Sequence, residues 1–427
     1  MILAIILLGS FFLLIFLNVP IAVSLGAASL LGLIYSGVSF DILAPTVYSA
    51  ITKYSLLAIP FFILAGLLME KVGITRRLIY FAQTVLGGMR GGLAYTVIVV
   101  ALVFAAISGS GPATVAALGT ILIPAMLAQG YDRGMVGGLL SSTSSIGIII
   151  PPSVAFIVYS SLASVSVSEI FLAGIIPGLL LGIAFIICSY FFIRKNDNIE
   201  VPRAYSAKEK FKAFTDAFWG LLAPVIILGG IYSGIFTPTE AAGVAVVYAL
   251  IVGIFIYKEL SFKKLFDVLV DSSVTTATVM YIVASATIFT WLLTTSLLAA
   301  DMAAFITSIS SNVILMLLLF NLIFLIAGFF LDTISAYYIL TPVMFPVIAE
   351  MNIDPIHFGV FITINLAIGQ FTPPVGVNLF VASNVGDIPL QEIVMKVIPY
   401  ILVSIIVLLI VTFFPQLSLW LPSLMFE

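Results

Sequence analysis

The sequence predicts an all-α polytopic membrane protein built from two related halves, and three observations carry that prediction. Of 427 residues, 62% are hydrophobic and only 8% are charged, whereas soluble domains carry about 25% charged residues. Uninterrupted apolar runs of roughly 20 residues, the length that crosses a bilayer as a helix, recur from Met1 to Phe414. Glycines and prolines repeat at a constant offset of 222 residues. Short strands alternating at every second residue are absent from the pattern, which argues against a barrel.

The spans follow in order. The first run, Ile2 to Leu17, lacks a basic leading region and a small-residue cleavage site, so it reads as a retained span and not a signal peptide. Further spans are expected at 19–36, 54–70, 134–163 and 169–193. The polar, basic stretch Arg194–Lys212 reads as a solvated linker. After it come spans near 216–236, 238–256, 272–297, 358–385 and 391–414. If Lys71–Arg90 is cytoplasmic, 15 of the 16 Lys and Arg residues fall inside and only Lys53 falls outside. By the positive-inside rule both termini then lie outside the cytoplasm. The lone Cys188 allows no disulfide, and the single His357, without partners, makes a zinc site improbable.

The repeat pairs Pro124 with Pro346, Asp132 with Asp354, Gly137 with Gly359 and Gly147 with Gly369. It continues through Pro151-Pro152 with Pro373-Pro374, and Pro177 with Pro399. Each half counts five crossings, an odd number, so the second half enters with opposite orientation. Inverted-topology repeats of this kind characterise secondary transporters. The halves are 1–193 and 216–427, joined by the cytoplasmic linker 194–215.

Two segments are interrupted. In 92–128, two short apolar arms flank Ser108-Gly109-Ser110-Gly111; in 313–350 the matching tip is Asp332-Thr333-Ile334-Ser335. A re-entrant hairpin explains short arms around a polar tip, because irregular backbone at membrane depth must line protein or a wet cavity. Two short helices joined by a surface turn are the simpler alternative. A carboxylate at depth costs several kcal/mol unless it faces a cavity or a cation. Asp332 is therefore read as an ion ligand, with capping of the following helix as the alternative.

Two further segments carry broken helices. Ser141–Gly147 precedes Pro151-Pro152-Ser153 in 134–163, while Asn365 and Gly369–Thr372 precede Pro373-Pro374 and Asn378 in 358–385. Tandem prolines strip backbone donors and free upstream carbonyls, which sodium, a hard ion, suits. A plain proline kink with Ser and Thr bonded back to the helix is the bland reading. Each tip and the broken helix after it are expected to meet near the midplane. That gives one cation site per half, with substrate between them, held by helix N-termini, hydroxyls and bound cations.

The Ser-Gly-Ser-Gly-Pro tip at 108–112, Pro151-Pro152 and Gly-Gln-Phe-Thr-Pro-Pro-Val-Gly at 369–376 resemble the large membrane subunit of tripartite ATP-independent periplasmic (TRAP) transporters. The resemblance covers essentially the whole chain. It implies an inverted-repeat, elevator-type transporter of the bacterial inner membrane that imports a C4-dicarboxylate or sialic acid driven by sodium. The implied partners are a small four-helix membrane subunit and a periplasmic substrate-binding protein; no nucleic acid is expected. No four-helix segment precedes Met1, so the small subunit is expected as a separate chain. Carried over by position, sodium ligands fall at Ser108, Ser110, Gly111, Ser145 and Gly147 in one half. In the other they fall at Asp332, Ser335, Gly369 and Thr372, so at least two ions are expected. Pro152, Ser153, Thr333 and Asn378 are assigned to substrate. The early spans, 2–70 and 216–256, are expected to form a scaffold, with hinges near Gly87, Gly88, Gly91 and Gly92.

Rival readings are weaker. A serine protease in the membrane needs a base beside its nucleophile, and His357 belongs near the outer surface. An aspartyl protease needs paired acids, yet the repeat mate of Asp332 is Ser110. The chain is therefore not expected to be an enzyme. A carrier that needs no binding protein shares every feature derived from the residues, and a purely structural scaffold does not account for repeated polar breaks.

Overall fold

The computed structural model describes residues 2–426, and no strand occurs among the described residues. The first half contains α1 (Ile2–Phe16), α2 (Ile21–Ser36), α3 (Leu43–Ile51), α4 (Ala58–Lys71) and α5 (Ile74–Leu86). It continues with α6 (Gly92–Ser108), α7 (Gly111–Ala128), α8 (Arg133–Ser144), α9 (Val154–Ala163) and α10 (Val167–Lys195). The second half contains α11 (Ala207–Tyr232), α12 (Pro238–Ile251), α13 (Phe262–Thr295), α14 (Leu298–Ile309) and α15 (Val313–Phe330). It ends with α16 (Thr333–Glu350), α17 (Pro355–Gly369), α18 (Val377–Gly386), α19 (Leu390–Phe413) and α20 (Gln416–Phe426). Among the described residues, nine helices are long and apolar enough to cross a membrane. The protein is thus an all-helical, multi-pass membrane protein.

Several elements depart from the expected spans for local reasons. Helix α11 starts at Ala207, within the stretch read as linker, because Ser206 and Glu209 form a reciprocal capping box. Ser261 caps α13, so that helix begins at Phe262 and runs for 34 residues, well before the expected start. Helix α5 was invisible as an apolar run because Arg76 and Arg77 interrupt it. It nevertheless buries Ile74, Leu78, Ile79 and Ala82 on one face, an amphipathic pattern. Arg77 donates to Glu259 at 2.6 Å and lies 3.7 Å from the centroid of the Tyr257 ring, which ties the start of α5 to the segment after α12.

The two broken helices form the centre. Every residue of α8 from Gly134 to Ser144 is buried, as is every residue of α17 from Ile356 to Gly369. Small residues let backbones approach closely in an apolar solvent. Gly134, Gly137 and Gly138 accordingly face Glu392, Ile393, Lys396 and Val397 of α19. The hydroxyls of this central helix turn inward on themselves: Ser141 donates to Gly137 O at 2.6 Å and Ser142 to Gly138 O at 2.7 Å. An outer layer contains α1, α2, α4, α12 and α13, with α2 and α4 both packed on α13 and α12 packed on α4.

Positions 222 apart share local structure. Helix α7 spans 111–128 and α16 spans 333–350, the same interval shifted by 333 − 111 = 222. Asp132 caps α8 by accepting from Met135 N, and Asp354 caps α17 by accepting from Ile356 N and His357 N. The Pro151–Pro152 and Pro373–Pro374 bonds are both cis. The arms after the breaks are exchanged between halves. Helix α9 packs on α16 and α17, whereas α18 packs on α7 and α8. Tyr159 of α9 lies against Gly359 and donates to Pro355 O at 2.5 Å.

Candidate functional site

The turn between α6 and α7 is built on Gly109, whose φ of 61° favours glycine. Ser110 then enters α7 in an extended conformation, and its side chain makes no capping bond. The matching turn between α15 and α16 needs no glycine, because Leu331 and Asp332 are both extended. Asp332 Oδ1 accepts from Ile334 N and Ser335 N at 3.0 Å each, and Oδ2 accepts from Ser335 Oγ at 2.5 Å. The capping alternative is therefore realised. The carboxylate keeps unused lone pairs, since an ionised acid offers about four.

Both tips open onto one cavity of about 260 Å³. Ser108, Gly109, Ser110, Gly111 and Pro112 line it from the first tip, and Asp332, Thr333 and Ile334 from the second. Val154 and Ala155 bring the start of α9, while Ile63, Thr275, Val279 and Ile282 close it from α4 and α13. Three helix N-termini, those of α7, α9 and α16, thus meet at one cavity. Asp332 is the only charged residue lining it, and no Lys or Arg does so. An anion there would be held by N–H groups and positive dipole ends, with the Asp332 charge opposing it until a cation binds.

The cavity brings together Ser108, Ser110, Gly111, Asp332 and Thr333 of the expected residues. Ser145, Gly147, Ser335, Gly369 and Thr372 do not line it. A Cβ on Gly147 would sit 3.2 Å from Ser110 O, so the first break presses against the first tip. Gly369 abuts the Gly328 backbone, four residues before Asp332. Ser145 donates to Ser142 O at 2.6 Å and Thr372 to Ile368 O at 2.6 Å, which leaves their hydroxyl lone pairs free to accept or ligate.

Pro152, Ser153 and Asn378 do not line this cavity. Ser153 is buried; it donates to Ile148 O at 2.6 Å and caps α9. The carbonyl of Pro152 faces Gly109, and Asn378 is buried against Ser141. His357, in the first turn of α17, is buried: its ring bonds Thr412 O at 3.1 Å and Ser418 Oγ at 3.4 Å.

The sequence reading missed Gln370, which lines the cavity and donates to Thr333 Oγ1 at 3.3 Å. Its position inside the Gly-Gln-Phe-Thr break was the available signal. The side-chain oxygens of Gln370 and Asn378, and the hydroxyl of Ser144, are buried without a hydrogen-bond partner. Such orphaned acceptors are rare. Of these, Gln370 lines the cavity with Asp332, and a carboxylate and an amide oxygen are donors that fit a hard cation such as sodium. No cluster of three His, Cys, Asp or Glu residues exists among the described residues.

The family model described as the tripartite ATP-independent periplasmic transporter, DctM component, matches residues 8–417. The Pseudomonas aeruginosa C4-dicarboxylate TRAP transporter large permease protein DctM is 42% identical over 391 residues, covering 92% of this chain and 91% of that protein. The sialic acid TRAP transporter large permease protein SiaM of Vibrio cholerae is 40% identical, covering 96% of each. The isethionate TRAP transporter permease protein DctMQ of Oleidesulfovibrio alaskensis is 40% identical over 97% of this chain, which spans 66% of that longer protein. The crystal structure of the Alcanivorax borkumensis YdaH transporter superposes with a TM-score of 0.62 at 16% identity, covering 91% of this chain and 88% of that one, and shares the fold. With the motifs, the helical architecture and the match over nearly its full length in agreement, the chain belongs to the DctM family of TRAP transporter large permeases.

Proposed function

We propose that this chain is the membrane permease of a sodium-coupled TRAP system of the bacterial inner membrane, importing an organic anion delivered by a periplasmic binding protein. One observation carries the reading: three helix N-termini and a single carboxylate, Asp332, meet at one cavity that no basic side chain lines. An anion gains from the N-termini, and cations on Asp332 and the orphaned oxygens remove the opposing charge, so each ligand favours the other. That reciprocity is the thermodynamic basis of coupling. Relatives named for C4-dicarboxylate, sialic acid and isethionate transport lie at 42%, 40% and 40% identity. Similarity therefore supports an organic anion as a class, with a carboxylate or sialic acid as the first candidates.

In this reading the α6–α7 and α15–α16 pairs are re-entrant hairpins, and the halves are inverted repeats with both termini periplasmic. The arms of the two pairs and the Asp132 and Asp354 caps, which recur at an offset of 222, support it. Hairpins and broken helices move together as an elevator against α1–α4 and α11–α12, carrying the cavity across the membrane. The small membrane subunit and the binding protein complete the system.

The test is uptake into proteoliposomes containing this chain and its small subunit, with the binding protein outside. Labelled C4-dicarboxylates, sialic acid and isethionate are followed with and without an inward sodium gradient. Uptake that requires both sodium and binding protein is the expected result. Uptake with sodium alone would make the chain an ordinary secondary carrier. Uptake indifferent to sodium would overturn the coupling.

A further inference from the structure

The first break and the second are joined by a direct clasp. Asn378, at the start of α18 in the second half, donates from Nδ2 to Ser141 O in α8 of the first half at 3.1 Å. Ser141 Oγ reaches back to Asn378 O at 3.3 Å, a longer and weaker bond. Both residues are completely buried. Asn378 Oδ1 has no partner of its own. That carboxamide also bears on the first tip: a Cβ on Gly111 would lie 3.1 Å from Asn378 Nδ2 and 3.2 Å from Oδ1, and would collide with Gln370 Oε1. Asn378 therefore touches α8 just before its break and α7 at its first residue, while its own backbone N donates to Gln370 O at 2.9 Å across the second break.

We infer that Asn378 is a positioning residue that couples the two half-sites, so that a cation bound in one half sets the geometry of the other. The inference rests on the sodium reading above and deepens it. Ligands at the first site, Ser110, Ser145 and Gly147, hang from the tip and break that Asn378 braces. Ligands at the second, Gly369 and Thr372, belong to the break whose exit Asn378 ties back to Gln370. A buried hydrogen bond has two discrete conditions, made or unmade, and a lost partner leaves a buried acceptor unpaired. Filling one site orders the clasp, and the second ion then binds to an already ordered site.

The experiment is sodium activation of uptake in the reconstituted two-subunit permease with binding protein, at saturating substrate, for wild type, Asn378→Leu, Asn378→Asp and Gly111→Ala. Leu keeps the volume without either polar group; Asp keeps the acceptors without the donor to Ser141 O. The wild type is expected to give a Hill coefficient of about 2, within the limit set by the number of sites. The Leu and Asp variants are expected to fall toward 1 with a raised half-saturating sodium concentration, and the substrate KM at saturating sodium is expected to hold. Gly111→Ala, which pushes the same carboxamides from the other side, should behave alike and covers the case in which a residue 378 variant does not fold.

Four results would overturn the inference. A rise in substrate KM with an intact Hill coefficient would make Asn378 a substrate contact. Retention of wild-type cooperativity in Asn378→Leu would make it a packing residue, and in both cases sodium coupling itself would stand. A wild-type coefficient of 1 would remove the coupling between half-sites and leave sodium dependence standing, whereas a wild type with no sodium dependence would remove its basis as well.

Discussion

Asp332 combines a helix cap with a charge facing the cavity, and a substitution can separate the two. Its oxygens cap α16 through two backbone N–H groups at 3.0 Å and hold Ser335 Oγ at 2.5 Å, and its charge is the only one facing the cavity. Losing an N-cap costs about 1 kcal/mol. A carboxylate and a sodium ion about 4 Å apart attract by about 4 kcal/mol at an effective dielectric near 20. If desolvation leaves about 1.4–2.8 kcal/mol of that attraction, removing the charge raises half-saturating sodium roughly 10- to 100-fold. Asp332→Ser keeps a good cap without the charge, whereas Asp332→Ala loses both. Sodium activation of uptake is therefore expected to suffer equally in the two variants. Thermal unfolding in sodium-free buffer is expected to separate them, with Ala less stable by about the cap energy. Wild-type sodium dependence in Asp332→Ser would refute the assignment of the charge to cation binding and leave Asp332 a helix cap.

Other consequences can be checked alongside. Gly369→Ala drives a methyl into the Gly328 backbone, where nothing flexible can yield, and is expected to destabilise by about 1–3 kcal/mol and to abolish uptake; both are read on purified protein. Asn321 accepts from Asn365 Nδ2 at 2.7 Å and donates to Thr412 Oγ1 at 3.1 Å, so Asn321→Leu should cost about 1–3 kcal/mol in thermal stability. Asn321→Leu combined with Asn365→Leu should cost less than the sum of the two singles, which a double-mutant cycle measures. Glu259→Gln weakens the half-exposed tie to Arg77 and Arg76 and is expected to lower stability by no more than about 1 kcal/mol, with the difference shrinking at high salt.

Much of this molecule is legible in its sequence because its solvent imposes a simple rule. Backbone groups in hydrocarbon must pair within their own segment, so every departure from apolar helix leaves a mark. The tips at 108–111 and 332–335 and the double prolines stood out for that reason, and the arms 92–108 and 111–128 fall close to where the hydropathy put them. Helix α5 was hidden because two arginines dilute an amphipathic pattern to which a search for apolar runs is blind. The roles of Gln370 and Asn378 were hidden for a different reason. Each is defined by a partner more than 30 residues away, Thr333 for one and Ser141 for the other, and no local pattern encodes such a meeting. Ser153, a polar residue beside the first break, pairs its hydroxyl locally, with Ile148 O and the start of α9.

The exchange of arms between halves has a consequence for how the chain is made. Helix α9 leaves the ribosome nearly 200 residues before α17, one of the helices it packs against. Until then Tyr159 has neither Gly359 to lie on nor Pro355 O to donate to. During synthesis α9 has, among the helices of its own half, only α4 and α10 to rest on until the second half arrives. The two gene segments, expressed as separate polypeptides, would be obliged to find each other before either could settle, much as the strands of a rope hold only when laid together.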